Sequence, residues 1–243
     1  MPTKRTPIKN PKLSLSVEQP APKSKPVQLA ADVEAIRKQI RAFLQTKDPH
    51  GKSIGLSEFG IYAFYDYDGE PIYVGKTYEG LSSRIGRHLT NQRTDAVAMN
   101  VLDPFEVAEI RVWPLDFSDV SQKEARDSLS RAEYTVYQKL LRESKLNAVL
   151  NEKPPTVTSL FKLPKDYRGR IIPDEIYPHR KHPDIRIARR ANTIAALARV
   201  ISERKVSKGL RRTLLTQAKR LEKLAAQRLK DFRGKESDES RDD

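Results

Sequence analysis

The hydrophobic rhythm of the chain changes several times, and each change predicts an element. From Leu29, apolar residues recur at steps of three and four (Val33, Ile36, Ile40, Phe43), which predicts an amphipathic helix ending near Lys47. Asp48-Pro49-His50-Gly51 breaks it. Two short runs rich in aromatic and β-branched residues follow, near 59–66 and 71–77, around Asp66-Tyr67-Asp68-Gly69-Glu70. This is the signature of a β-hairpin, and each of its strands sets a tyrosine beside a glycine. A short helix is predicted next, capped by Ser82 or Ser83. On it Arg84, Arg87 and His88 share one face at i, i+3 and i+4. Imperfect alternation and β-branched content over 105–112 predict a third strand ahead of Pro114.

Ser121-Gln122-Lys123-Glu124 has the form of a capping box and opens a long helix to about Ser144. Its apolar stripe runs Leu129, Val136, Leu140, with Glu133 inserted at the same spacing. A carboxylate on an inward stripe has to be paired, protonated or bound to a metal, because burying it alone is costly. Residues 153–184 are rich in proline and lack periodicity, and read as a linker or wrapping loop. Two helical stripes close the pattern: Ile187, Ala191, Ile194, Leu197 and Ile201, then Leu210, Leu214, Ala218, Leu221, Ala225 and Phe232. Joined at 205–209, they predict a helical hairpin over 185–233. The fold class is α/β (α+β): a domain over 29–152 with a small three-stranded antiparallel sheet flanked by helices, followed by the hairpin.

Charge changes the picture at the flanks. Of 243 residues, 46 are Lys or Arg and 32 Asp or Glu, a formal net charge of +14. Residues 1–28 hold six Lys/Arg and one Glu among six prolines, a disordered basic arm. Residues 185–233 hold fifteen Lys/Arg against Glu203, Glu222 and Asp231. The stretch 234–243 is an acidic tail expected to be disordered, and the middle of the chain is neutral. Basic flanks around a neutral centre point to a polyanion held by attached elements, which makes nucleic acid the expected partner. Arg87, Arg186, Arg189, Arg190, Lys208, Arg211 and Arg212 are the candidate DNA contacts. With no cysteine, no apolar run of membrane-spanning length and no signal-peptide core, a cytoplasmic location without membrane contact is expected.

Gly60-Ile61-Tyr62 followed by Tyr73-Val74-Gly75 resembles the paired motif of the GIY-YIG nucleases, with Val for Ile in the second half. An arginine on the next helix, a glutamate on a later one and an asparagine beyond it complete the family pattern. Here Arg84, Glu133 and Asn147 fill those places, with Asn151 an alternative to Asn147. The resemblance covers roughly 57–152 and is nearest to restriction-enzyme-like members, which carry a basic residue or histidine where Lys76 and His88 stand. Relative to compact members, 91–120 holds an insertion. The resemblance implies catalytic roles for Tyr62, Tyr73, Lys76, Arg84, His88, Glu133 and Asn147, with Tyr62, Lys76 and His88 all open as the base.

The chemistry agrees with that pattern. Phosphodiester hydrolysis needs a base for water and cations for the developing charge. A hard ion such as Mg²⁺ (or Mn²⁺) keeps several waters, so Glu133 alone suffices as its protein ligand. Arg84 offers phosphate a guanidinium fork. His179 and His182 lack acidic company except Asp184, and no zinc site is expected. The expected function is a metal-dependent DNA endonuclease. The rivals are a catalytically inactive nucleic-acid-binding protein that uses the basic helical hairpin, and an interaction protein whose C-terminal helices pair two copies into a homodimer.

Overall fold

The computed structural model describes residues 31–90 and 101–239. The basic arm expected over 1–28 and residues 91–100 of the insertion lie outside the described residues. α1 spans Ala31–Leu44 and turns its Ile40 and Leu44 inward. The hairpin forms as predicted, β1 over Phe59–Tyr65 and β2 over Pro71–Thr77. Asp66 makes its turn: the carboxylate Oδ1 accepts from Asp68 N at 2.9 Å and Glu70 N at 3.0 Å. Gly69, at φ 70°, supplies the left-handed residue. α2 covers Leu81–Thr90 and begins directly after Gly80 (φ 98°), so Ser82 and Ser83 sit inside its first turn and do not cap it.

β3 covers Glu109–Leu115, later than predicted, because Asp103 accepts from Phe105 N and Pro104 starts a 3-10 turn over Pro104–Glu106. The strand runs through Pro114, whose missing N–H is tolerated because β4 pairs only with 109–112. α3 spans Gln122–Glu143, and its capping box is complete in both directions. β4, Tyr167–Arg170, makes the sheet four-stranded, not three, in the order β2-β1-β3-β4 with all pairs antiparallel. It comes from the stretch expected to be a linker or loop. As a short edge strand it shows no apolar alternation; its neighbours are held by charge, Arg168 to Glu109 and Arg111 Nε to Asp166 at 2.7 Å. At Gly169 any Cβ would collide with the Phe43 ring of α1.

Strand alternation splits the core into two layers. Tyr62, Phe64, Ile110 and Val112 face α1 and α2, packing with Leu44, Leu81 and Ile85. Ile61, Ala63, Val74 and Trp113 face α3 and its Leu129, Ala132, Val136 and Leu140. After the short α4 (Tyr177–Lys181), α5 (Pro183–Glu203) and α6 (Lys208–Glu239) form the predicted helical hairpin, and α6 continues through most of the expected acidic tail. Leu197 and Leu210 join the same core layer as Tyr62. Among the described residues no helix is long and apolar enough to cross a membrane.

Charge is where the structure departs furthest from the sequence. Arg186 and Arg190 of α5, candidates for DNA, are buried with Arg220 of α6. Asp66 Oδ2 accepts from Arg190 Nη2 at 2.9 Å and Arg220 Nη2 at 2.6 Å. Arg186 Nη2 reaches Asp68 at 2.6 Å, and Arg190 Nε reaches Glu106 at 3.0 Å. Arg189 donates to the carbonyls of Phe105 and Arg180. Arg186 and Arg190 thus dock the helical hairpin onto the β1–β2 turn and have no face left for phosphate. Helix periodicity cannot reveal this, because their acidic partners lie more than eighty residues away in sequence.

Candidate active site

Tyr62 stands on β1 opposite Gly75 on β2. A Cβ at Gly75 would overlap the Tyr62 phenol, so the second motif's glycine is the floor on which the first motif's tyrosine lies. Arg84, on the first full turn of α2, donates its Nε to Tyr62 Oη at 3.3 Å. One turn later His88 is buried against both phenols, with ring centroids 5.7 Å from Tyr62 and 5.3 Å from Tyr73. Tyr73 stacks in turn on Phe64, 5.9 Å away. These four predicted residues form one cluster on the α2 face of the sheet.

Lys76 and Glu133 lie on the other face. Lys76 pairs with Ile61 in register, which turns its side chain toward α3. There its Nζ lies 3.0 Å from Glu133 Oε2 and donates to Ser130 Oγ at 3.0 Å. Glu133 is therefore not a bare buried charge: the strand supplies its cation, and Ser130, three residues earlier on the same helix face, completes the contact. β2 is an edge strand, so the two faces meet along its rim. The charge of Glu133 acts on the Tyr62 phenol from across that rim.

The electrostatics follow from burial. Burial pushes the Tyr62 phenol far above the ordinary tyrosine value, and Tyr73 adds to the shift. The Arg84 guanidinium opposes both through its charge and its hydrogen bond. His88 is pulled down to about 4 by burial and then by Arg84 and Arg87, so it is a neutral imidazole at neutral pH. Neither of its ring nitrogens has a hydrogen-bond partner among the described residues.

Of the two asparagines, Asn147 is exposed in the turn after α3 in a left-handed conformation (φ 49°), which asparagine tolerates better than most residues. Asn151 braces the site. Its Nδ2 donates to Val74 O at 2.7 Å and its Oδ1 accepts from Val74 N at 3.0 Å, while Leu150 N donates to Ile72 O at 2.8 Å. Residues 150–151 thereby satisfy the free edge of β2 between the two motif residues Tyr73 and Gly75. No local pattern in the sequence separates the two asparagines, because the choice depends on which one meets the strand edge. Glu79, which pairs with both Arg84 and Arg87, and Ser130 also have no sequence signal beyond their spacing from the motif residues.

Residues 58–146 match the family model described as the GIY-YIG catalytic domain. This part of the chain belongs to the GIY-YIG nuclease family. No curated protein and no solved structure matches the chain. The GIY-YIG domain takes in both motif halves, Arg84, His88 and Glu133, and ends before either asparagine and before the C-terminal helices.

A metal can be weighed against these donors. Among the described residues no group of three or more His, Cys, Asp or Glu is placed to hold an ion. That donor set does not suit zinc, which takes three or four protein ligands. It fits a hard ion held by one carboxylate, water and substrate oxygens. Glu133 is placed for that use, partly exposed and with one oxygen against Lys76.

Proposed function

We propose that the protein is a metal-dependent endonuclease that hydrolyses DNA phosphodiester bonds at the β2 rim. The observation that supports this most is the Arg84–Tyr62 hydrogen bond within the GIY-YIG domain. It couples a cation suited to phosphate oxygens with a phenol suited to the attacking water. In this reading Tyr62 Oη accepts a hydrogen bond from the attacking water and orients it, while the proton that the water loses leaves to solvent. Burial keeps the phenol protonated, and Arg84 holds its oxygen in place. Arg84 also offers its remaining N–H groups to the phosphate. His88 and Tyr73 hold the phenol in place by packing. Glu133 would hold Mg²⁺ or Mn²⁺, which when bound supplies positive charge to the phosphate and the leaving oxygen. Lys76 keeps Glu133 aimed at the rim.

For DNA contact, Arg87 and Arg212 are exposed. Arg212 acts by its charge on the Tyr137 phenol, one turn beyond Glu133 on α3. The test is cleavage of supercoiled plasmid with Mg²⁺, with Mn²⁺ and with chelator, using the parent beside Tyr62→Phe, Arg84→Ala and Glu133→Gln. The parent should nick only with metal, and each variant should lose at least a hundredfold while keeping its circular dichroism spectrum. Equal nicking by all four proteins would falsify the assignment.

A further inference from the structure

Arg220 is the least satisfied member of the buried ion network. Its side chain is 3% exposed, and its Nη2 donates to Asp66 Oδ2 at 2.6 Å. Nε and Nη1 have no hydrogen-bond partner among the described residues. A guanidinium carries five N–H donors, and three of them sit on those two nitrogens. Arg190 beside it differs, since its Nε, Nη1 and Nη2 each reach an acceptor. Buried donors left idle are costly, so a charged group held this way points to something that takes them. A space of about 10 Å³ bordered by Arg220 and Glu106 has room for one water. With two lone pairs, that water can take at most two of the three.

Arg220 also forms part of the wall of a cavity of about 240 Å³ between α6, the β1–β2 turn and the loop after α3. Lys223 of α6 and Lys145 of that loop line the same cavity and are exposed. Arg220 and Lys223 stand at i and i+3, on one face of the helix. The carboxylates in this wall are already engaged. Asp66 accepts from the turn amides and from the arginines, and Asp68 accepts from Arg186 at 2.9 and 2.6 Å. Glu70 accepts from Ser144 Oγ and, at 3.2 Å, from Lys145 N. What remains to meet a ligand is positive. We propose that this cavity binds a phosphate group, with Arg220 at its wall and Lys145 and Lys223 closing on it from α6 and the loop. A tetrahedral anion offers acceptors in several directions, which suits donors from two elements, and a guanidinium matches two of its oxygens. The idle nitrogens of Arg220 have no accessible surface of their own, so the guanidinium turns toward the ligand while Nη2 keeps Asp66. The bound group bridges the C-terminal helices and the catalytic domain, and it stabilises the docked arrangement by mass action. The inference rests on the ion network and not on the nuclease reading.

Isothermal titration calorimetry of the full chain with inorganic phosphate, in chelator and at constant ionic strength, should show saturable binding at one site. Lys145→Gln/Lys223→Gln changes two exposed positions and leaves the network's ion pairs in place, and it should weaken binding at least tenfold. Arg84→Ala should leave binding unchanged. Thymidine 5′-monophosphate, titrated in parallel, separates the two sources of a phosphate. Tighter binding than inorganic phosphate, again lost in the double lysine variant, identifies the terminal phosphate of a nucleotide; equal or weaker binding identifies the free ion. Phosphate should also raise the melting temperature of the parent more than that of the double variant. The difference is the readout, because phosphate stabilises proteins generally by exclusion from their surface. Absence of saturable binding by both ligands overturns the proposal, as does an equal rise in melting temperature for parent and variant. Binding that survives the double lysine variant, or that is lost in Arg84→Ala, overturns it as well, since the phosphate then sits elsewhere.

Discussion

Replacing Asp66 by asparagine keeps the shape of the β1–β2 turn and removes one negative charge from the middle of the buried ion network. The amide can still accept from Asp68 N and Glu70 N, as Oδ1 does now. Its NH₂ group then replaces the oxygen that receives Arg190 at 2.9 Å and Arg220 at 2.6 Å, so donors face donors. Asp66, Arg190 and Arg220 are all at most 5% exposed at the side chain, so water cannot repair the loss. Breaking a buried pair by removing one partner costs about 3–5 kcal/mol. That is a large part of the roughly 5–15 kcal/mol by which domains are stable. For a chain of this size it lowers Tm by roughly 6–20 °C. Urea unfolding followed by the fluorescence of Trp113, the one tryptophan and fully buried, gives the value directly. Asp66→Asn/Arg220→Met, which also removes a cation, should recover part of the loss. A single variant within about 1 kcal/mol of the parent, in the range of an exposed ion pair, would show that the network is solvated and that the helical hairpin is not held by it.

Gly75→Ala should displace the Tyr62 phenol, costing about 1–3 kcal/mol of stability and most of the cleavage activity; normal cleavage would mean that the phenol's seat is unimportant. Asn151→Ala frees the β2 edge and should cut cleavage at least tenfold, whereas Asn147→Gly, suited to the left-handed turn, should leave rate and stability unchanged. Arg212→Ala should reduce the salt slope of DNA binding by about one, read from binding isotherms over a salt series, and an unaltered slope would remove Arg212 from the interface. For His88 the folded value of about 4 lies below the ordinary 6.5, so the unfolded chain binds the extra proton. Its contribution is complete above about pH 6.5 and is lost toward pH 4 by up to about 1.4 kcal/mol per unit. His88→Phe should therefore lose less in urea midpoint than the parent between pH 7 and 5, and equal losses would place the imidazole in water.

The hairpin, the capping-box helix and the shared face of Arg84 and His88 on α2 were legible because each depends on local spacing: aromatic strands about an Asp-Gly turn, Ser121 with Glu124, and Arg84 with His88. Three features were not. β4 has no apolar face of its own and exists because Glu109 and Arg111 of β3 find charged partners beside it. Asn151 is distinguished from Asn147 only by the strand edge that it meets. The positive charge of 185–233 reads as a DNA-binding surface when it is counted by segment. The count cannot show that Arg186, Arg190 and Arg220 are balanced by carboxylates from the catalytic domain.

That burial also explains how one strand can serve a site on two faces. Tyr62 and Arg84 stand on the α2 side of the sheet, and Lys76 and Glu133 on the α3 side, so their spacing depends on where β2 lies. An edge strand with a free outer side would be a poor reference for it. β2 is held at its open edge by the two Asn151–Val74 bonds and at its turn by Asp66 and the three arginines. In the proposed reading, the C-terminal helices influence the geometry of the site from the far end of the hairpin, through the ion network. A weakened network should lower the cleavage rate before it lowers DNA affinity, since the positions it fixes are those of the reacting groups.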